Sequence, residues 1–191
     1  IIYMPKGTAI DRVNAIKSKN AEVIVIDEGY DSAVEIANRK VIQGNRNGNG
    51  SWSLIQDTAW DGYEKIPLDI MKGYWTQMHE VTSQIKDKKI DLIFLQTGVG
   101  SWAASIINYI LNNWDYCPLF YSVEPFSANC LAESIKSKKR VKVNKKETTS
   151  MAGLDCGTVS TLAWQILKTS ISSSISIDDS FTEEAMQVFS N

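Results

Sequence analysis

One stretch of the sequence has residue types suited to binding a phosphate group. Residues 95–105 read Leu-Gln-Thr-Gly-Val-Gly-Ser-Trp-Ala-Ala-Ser and place Gly98 and Gly100 between a predicted buried strand and a predicted helix. Glycines let the backbone curl so that several N–H groups converge, and the start of a helix adds positive partial charge. The stretch therefore predicts either a phosphate-binding loop or a tight turn without a ligand.

A dinucleotide site is a second interpretation of the same loop. The dinucleotide-binding pattern has a third glycine where this chain has Ala103, and alanine is sometimes accepted there. The pattern also has an acidic residue about twenty positions later at the end of a strand, and Glu124 roughly fits that position. Spacing alone therefore leaves open an NAD-binding Rossmann oxidoreductase domain.

The second stretch that could carry chemistry is residues 56–63, Gln-Asp-Thr-Ala-Trp-Asp-Gly-Tyr, which follows a predicted strand. Carboxylates at strand ends often serve in active sites, where aromatic neighbours desolvate them and raise their pKa. Asp57 is closer to the strand and is the better candidate base, whereas Asp61 is expected to be solvated. An ordinary surface loop is the alternative interpretation.

The metal-ligating residue types are too few and too widely spaced to predict a metal site. The chain has three cysteines and one histidine. Cys117, Cys130 and Cys156 do not have the spacing of a zinc knuckle, and His79 lies inside a predicted helix. A disulfide between Cys130 and Cys156 is one interpretation. The favoured one is that the cysteines are small buried hydrophobic residues in a reducing cytoplasm.

The elements that must position these residues alternate between short apolar runs and longer segments of helical period. This alternation is typical of consecutive β-α units and predicts the α/β class with a parallel sheet. Residues 43–50, rich in glycine and asparagine, predict a loop or domain crossover, and residues 170–176 give no clear prediction. Strands are predicted over residues 1–4, 22–26, 52–55, 90–96 and 118–123, and helices over residues 9–19, 31–41, 68–86, 102–112, 127–135, 160–168 and 181–189.

Composition and charge point to a compact protein with a small-molecule partner. The formal net charge of -2, from 20 basic and 22 acidic residues, gives no net attraction for nucleic acid or an anionic membrane. The lysine-rich run over residues 136–146 is interpreted as a solvated turn. No apolar stretch approaches the roughly 20 residues that cross a bilayer, and the chain begins as if in the middle of a strand.

Taken in order, the motifs resemble one family. Residues 3–8, Tyr-Met-Pro-Lys-Gly-Thr, are similar to the small-domain segment of fold-type II pyridoxal-phosphate enzymes, which include threonine dehydratase and cysteine synthase. Residues 56–60, Gln-Asp-Thr-Ala-Trp, are much closer to the diaminopropionate ammonia-lyases within that group. The match continues through Gly62-Tyr63, Ile66-Pro67, Ile70-Met71, Gly73-Tyr74, Glu80, Gly98-Val99-Gly100, Ala103, Val123-Glu124-Pro125, Met151-Ala152-Gly153-Leu154 and Cys156-Gly157. The resemblance spans essentially the whole chain, although the family usually has more glycine where Ala104 and Ser105 stand.

The resemblance implies a parallel twisted sheet with helices on both faces and a pyridoxal 5'-phosphate cofactor. It implies a β-elimination in which 2,3-diaminopropionate loses its α-proton and then its β-amino group, with decay of the product to pyruvate and ammonia. Asp57 matches a carboxylate that takes the α-proton from one substrate enantiomer, while a second acid upstream serves the other. The cofactor phosphate would be held by the backbone of Gly98, Val99, Gly100, Ser101 and Trp102.

The family architecture further implies that residues 1–45 belong to the small β-α domain and residues 46–191 to the large cofactor-binding domain. A homodimer in the cytoplasm is expected for the full-length enzyme. A threonine or serine dehydratase, or a cysteine synthase-like enzyme, is the alternative within the fold. The alternative of another class is the NAD-binding Rossmann oxidoreductase domain, and a catalytically silent binding or structural module is a third interpretation.

The Schiff-base lysine of the family lies upstream of the strand at which this chain begins, and no lysine of this chain has the family's lysine context. The family also continues beyond residue 191 with a serine- and glycine-rich segment near the pyridine nitrogen. We therefore expect the 191-residue chain to be inactive on its own.

This expectation predicts that the chain forms no stoichiometric Schiff base between pyridoxal phosphate and one particular lysine. Mixing the two should give no stoichiometric absorbance band near the visible region, and borohydride should trap no cofactor at a single site. A stoichiometric band that borohydride abolishes, mapped to a single lysine, would contradict the prediction.

Overall fold

The chain folds into two compact units in a computed structural model, which describes residues 1–48, 50–86, 88–144 and 147–190. The first unit is Ile1–Gln56 and the second is Asp57–Asn191. This division follows Gln56, whereas the predicted domain division follows residue 45, and the assignment of the units to a small and a large domain stays a prediction. Three residues that fall in predicted segments lie outside the described residues, namely Asn49, Lys145 and Lys146.

The first unit is built around two short parallel strands. Strand β1 (Ile2–Met4) pairs with β2 (Val23–Val25), and Tyr3 lies opposite Ile24. Helix α1 (Ile10–Lys17) connects the strands, and helix α2 (Tyr30–Arg46) follows them. Both predicted β-α units of this region are confirmed.

Two predictions for the end of the first unit are wrong, and one contact explains why. Helix α2 continues through Gly44 and Asn45, which were predicted to lie in a loop, and residues 52–55 form no strand. An added Cβ at Gly44 would lie 2.8 Å from the Trp52 ring, so the glycine makes room for this side chain. The Asn45 side chain accepts from the Trp52 N–H at 2.8 Å and donates to the Trp52 carbonyl at 3.0 Å. Tertiary packing therefore overrides the turn propensity of Gly and Asn.

The second unit contains a parallel three-stranded sheet in the order β3-β4-β5. Its strands are β3 (Leu92–Gln96), β4 (Leu119–Pro125) and β5 (Ile171–Ile177), the last over the segment that gave no clear prediction. Ser122 lies opposite Ser174, and their hydroxyls are hydrogen-bonded at 2.9 Å. The remaining elements are α3 (Lys65–Gly73), α4 (Trp75–Ile85), α5 (Ser101–Asn113), a 3-10 turn (Phe126–Ala128), α6 (Cys130–Lys136), a 3-10 turn (Ala152–Leu154), α7 (Thr161–Ser170) and α8 (Asp179–Ser190).

Helix α5 is the centre of the hydrophobic core of the second unit. Eight of its 13 residues are buried, and it packs against α3, α4 and α7. Ile107 and Ile110 are fully buried in a cluster that also contains Leu95, Phe120 and Leu167. Burying each of these side chains contributes about 1.5–3 kcal/mol. The core therefore fixes the start of α5, where the glycine loop lies.

The single helix predicted over residues 68–86 is two helices, α3 and α4, which meet at Tyr74. The Ser105 hydroxyl donates to the Met71 carbonyl at 2.5 Å. In a continuous helix that carbonyl would accept from the N–H of residue 75. A contact with α5 thus replaces the helical hydrogen bond at the junction, and the hydrophobic period alone does not reveal it. No helix in the described ranges is long and apolar enough to cross a membrane.

Glu124, at the end of β4, is fully buried and caps helix α6. One carboxylate oxygen accepts from the Leu131 N–H at 2.7 Å and the other from the Ala132 N–H at 2.8 Å. Burial raises the pKa of Glu124 from 4.5 to about 7, and the two N–H groups oppose this shift by favouring the charged form. The carboxyl therefore titrates near neutral pH in the folded protein.

Because the pKa of Glu124 is higher in the folded chain than in the unfolded chain, ionisation of this carboxyl is expected to reduce stability as pH rises from 4.5 to about 7. Glu124→Gln does not titrate. It keeps one acceptor oxygen and loses the other, because its NH2 group cannot accept from the second N–H, and this loss lowers stability by an amount that does not depend on pH. As pH rises across this window, the unfolding free energy of Glu124→Gln should increase relative to that of the wild type by up to about 3 kcal/mol. Urea unfolding followed by tryptophan fluorescence at several pH values measures the difference. A constant difference between the two proteins would contradict the prediction.

Candidate active site

The glycine loop connects β3 to α5 and is buried throughout residues 97–101. Gly100 has a φ of 88° and stands directly before the first residue of α5. An added Cβ there would lie 2.6 Å from Leu167 Cδ1 and 3.3 Å from Ala163 Cβ, both on α7. Only glycine satisfies both the left-handed backbone and this close approach.

Gly98 brings the loop into contact with the segment that follows the lysine-rich run. An added Cβ at Gly98 would lie 3.2 Å from three atoms: Gly153 O, Leu154 Cα and Cys156 Sγ. On the other side, the Cys130 thiol lies 3.6 Å from the Gly98 carbonyl oxygen. The structure therefore packs the predicted motif over residues 151–157 against the glycine loop.

The cysteines show no disulfide. Cys130 and Cys156 are buried, as the favoured interpretation predicted, whereas Cys117 is exposed. His79 is exposed on α4. In the described ranges, no group of three or more His, Cys, Asp and Glu side chains could hold a metal ion.

The start of α5 presents backbone N–H groups that are available to an anion. The first internal bond of the helix runs from the Ala104 N–H to the Gly100 carbonyl at 2.9 Å. Within the part of the chain that the structure describes, the N–H groups from Gly98 to Ala103 have no hydrogen-bond acceptor. The first turn of α5 contains no acidic residue that would compete for them. Burying such donors is costly unless a ligand accepts from them, so the loop suits a phosphate.

The side chains of Ser101 and Trp102 are committed to contacts within the protein. The Ser101 hydroxyl donates to the Asp57 carbonyl at 2.8 Å, and the Trp102 indole N–H donates to the Gln77 side chain at 2.8 Å. These two residues can therefore offer a phosphate only their backbone N–H groups. Their contribution depends on backbone position, as the resemblance implied.

Residues 57–63, here called the acid loop, lie beside the glycine loop. Their tip is a turn in which Trp60 and Tyr63 are paired through the backbone and their rings stack at 4.6 Å between centroids. Gly62 has a φ of 88°, which the turn requires. Asp61 is exposed on this turn, whereas Asp57 is partly buried. The Ser101 hydrogen bond brings together the two stretches that the sequence presented separately.

Tyr74 and Ser160 lie near Asp57 and the two loops, and the sequence nominated neither as a site residue, although Gly73-Tyr74 was among the motifs that carry the resemblance. Burial raises the pKa of the Tyr74 phenol, and the negative charge of Asp57 raises this pKa further. Ser160 contacts both loops. Gly73-Tyr74 indicated the family but no role for Tyr74, because the helix junction at this residue is not visible in the hydrophobic period. Ser160 belongs to none of the matching motifs, so its position gave no signal.

Glu124 does not suit the dinucleotide interpretation. Both of its carboxylate oxygens accept from N–H groups of α6, and neither is left to bind a ribose hydroxyl. Glu124, whose position fitted the dinucleotide-binding pattern, is thus a structural cap of α6.

The chain matches known proteins over its whole length. The family model for pyridoxal-phosphate dependent enzymes matches residues 1–191. The chain is 37% identical over 194 residues to the diaminopropionate ammonia-lyase of Escherichia coli strain K12, and the match covers 100% of this chain and 47% of that protein. The chain therefore spans about half the length of this curated relative.

Solved structures confirm the predicted fold class. The Escherichia coli diaminopropionate ammonia-lyase in complex with an aminoacrylate-PLP azomethine reaction intermediate matches with a TM-score of 0.87 at 36% identity, covering 100% of this chain and 48% of that one. A fungal L-serine ammonia-lyase from Rhizomucor miehei matches with a TM-score of 0.78 at 19% identity, covering 98% of this chain and 55% of that one. The second likeness concerns the fold alone.

Gly98→Ala is expected to weaken phosphate binding by the chain about fivefold or more, which corresponds to roughly 1 kcal/mol. The new methyl group would press on the Gly153 carbonyl and the Leu154 backbone, so the loop must move and its N–H groups lose their alignment. Calorimetric titration with pyridoxal phosphate and with inorganic phosphate measures the loss. Gly73→Ala, where a Cβ meets nothing within 4 Å, is the matched control. Equal affinities for Gly98→Ala and wild type would contradict the prediction.

Proposed function

Because the chain belongs to the family of pyridoxal-phosphate-dependent enzymes, we propose that it forms part of an ammonia-lyase that converts 2,3-diaminopropionate to pyruvate and ammonia. The main support is the 37% identity to the Escherichia coli diaminopropionate ammonia-lyase along 100% of this chain. Identity to the L-serine ammonia-lyase of similar fold is only 19%. This contrast favours the diaminopropionate substrate over serine or threonine.

The glycine loop fits the phosphate of the family's cofactor. The N–H groups of Gly98, Val99, Gly100, Ser101 and Trp102 would hold it, aided by the positive partial charge at the start of α5. Their lack of an acceptor among the described residues supports this assignment. When bound, pyridoxal phosphate supplies an electron sink for the carbon that loses its proton. The protein contributes position and electrostatic complementarity.

Asp57 is the proposed base that removes the α-proton from one substrate enantiomer. Its carbonyl is tied to Ser101 of the glycine loop, which fixes its backbone beside the proposed phosphate site. A tyrosine phenol is protonated at neutral pH, and burial together with the negative charge of Asp57 raises the pKa of Tyr74 further. Tyr74 therefore adds no negative charge beside the Asp57 carboxylate.

The wider organisation follows the family resemblance. We assign the first unit to the small β-α domain and the second to the large cofactor-binding domain, and expect a cytoplasmic homodimer for the full-length protein. The Schiff-base lysine would be supplied by a segment outside these 191 residues.

Full-length protein carrying Asp57→Asn is expected to release pyruvate from one enantiomer of diaminopropionate with a kcat about 100-fold or more below that of the wild type. The other enantiomer should be affected far less, because a different base removes its α-proton. A coupled lactate dehydrogenase assay on each pure enantiomer measures both rates.

Asp61→Asn is the matched control, since Asp61 is an exposed carboxylate of the same loop. It should leave both rates near those of the wild type. Equal losses for the two enantiomers in Asp57→Asn would overturn the role of Asp57. Failure of the wild-type protein to release pyruvate from either enantiomer would overturn the proposed substrate.

A further inference from the structure

Ser160 lies where the acid loop, the glycine loop and helix α7 meet. It is fully buried and directly precedes the first residue of α7. Its N–H donates to the Val99 carbonyl at 2.9 Å, and its hydroxyl oxygen accepts from the Ala59 N–H at 2.9 Å. One residue thus binds the glycine loop through its backbone and the acid loop through its side chain.

The Ser160 hydroxyl does not cap its own helix, although serine usually does so at this position. A serine before the first turn of a helix normally accepts a hydrogen bond from an N–H of that turn, which stabilises the helix by about 1 kcal/mol. Ser160 makes no such capping bond. The N–H of Thr161, the first residue of α7, instead donates to the Ala59 carbonyl at 3.1 Å. Both polar backbone groups of Ala59 are therefore held by the start of α7.

These contacts fix the segment that carries the proposed base. Ala59 is buried, with 1% of its surface exposed, and lies two residues after Asp57. The Ser101 hydroxyl holds the Asp57 carbonyl from the other side. The segment from Asp57 to Ala59 is thus anchored at both ends, and neither anchor uses the Asp57 carboxylate.

We propose that Ser160 is a positioning residue, which holds the acid loop in register with the glycine loop so that the Asp57 carboxylate faces the reacting carbon. The inference rests on the proposed function for its catalytic consequence. Its structural part, the hydroxyl clamp on Ala59, stands independently of that function.

The two halves of the clamp can be separated by mutation. Ser160→Ala removes the acceptor for the Ala59 N–H but retains the backbone N–H that binds the Val99 carbonyl. The acid loop should loosen while the glycine loop keeps its position. Thr161→Val is the matched control, because the buried Thr161 hydroxyl has no hydrogen-bond partner in the described part of the chain. Its backbone N–H, which binds Ala59, is unchanged.

Hydrogen exchange on the 191-residue chain tests the structural part. In Ser160→Ala the Ala59 amide should exchange about fivefold or more faster than in wild type. This is the effect expected when one hydrogen bond to that amide is lost. Amides of α5 should stay within about twofold of wild type, and Thr161→Val should match wild type throughout. Unchanged exchange at Ala59, or equal acceleration in α5, would overturn the clamp.

Kinetics of the full-length protein test the positioning role. Ser160→Ala should lower kcat about tenfold or more for the enantiomer that depends on Asp57, because small displacements of a base are costly. The KM for that enantiomer and the affinity for pyridoxal phosphate should change less than about twofold. A loss that falls mainly on cofactor affinity, or equally on both enantiomers, would overturn the proposal. If wild-type protein shows no lyase activity, the proposed function fails, while the exchange result still decides the clamp.

Discussion

The close approach of the β3–α5 turn to α7 constrains the whole second unit. Gly100 has a left-handed backbone conformation and leaves no space for a Cβ beside Leu167. Gly98 is packed with similar closeness against the backbone of Gly153 and Leu154. These contacts join segments far apart in sequence, so the loop takes its shape only when α7 and the segment over residues 151–157 are in place. The core around α5 holds α7 through Ala163 and Leu167.

This packing leaves a row of backbone donors in a buried position. An N–H group removed from water without an acceptor costs about 1–3 kcal/mol. The N–H groups of residues 98–103 have no acceptor in the described part of the chain, and the start of α5 has no acidic residue nearby in its first turn. A bound phosphate would recover that cost. The acid loop is attached differently, through the backbone of Asp57 and Ala59 and the hydroxyls of Ser101 and Ser160.

Several departures from the predicted elements share one physical origin. The helix junction at Tyr74 depends on the Ser105 hydroxyl, and the extension of α2 depends on the Trp52 ring packing on Gly44. Glu124 has the position of a ligand-binding acid but caps α6. In each case one side chain from outside the element binds or packs against a group of that element, and local propensity does not account for this contact. Hydrophobic periodicity, averaged over many residues, is insensitive to such single contacts.

The sequence by itself determined the α/β class, the positions of most strands and helices, and the glycine loop between a buried strand and a helix, because these depend on periodicity and on the conformational freedom of glycine. The ordered motifs also sufficed to identify the family. Only the tertiary structure decided that Asp57 lies beside that loop, that Ser160 holds both loops, and that Glu124 is a cap. The contacts of Asp57 and Ser160 are single hydrogen bonds across long sequence separations, and the Glu124 cap depends on the turn that joins β4 to α6. A hydroxyl or carboxylate can form such bonds with any suitable group that the fold brings near.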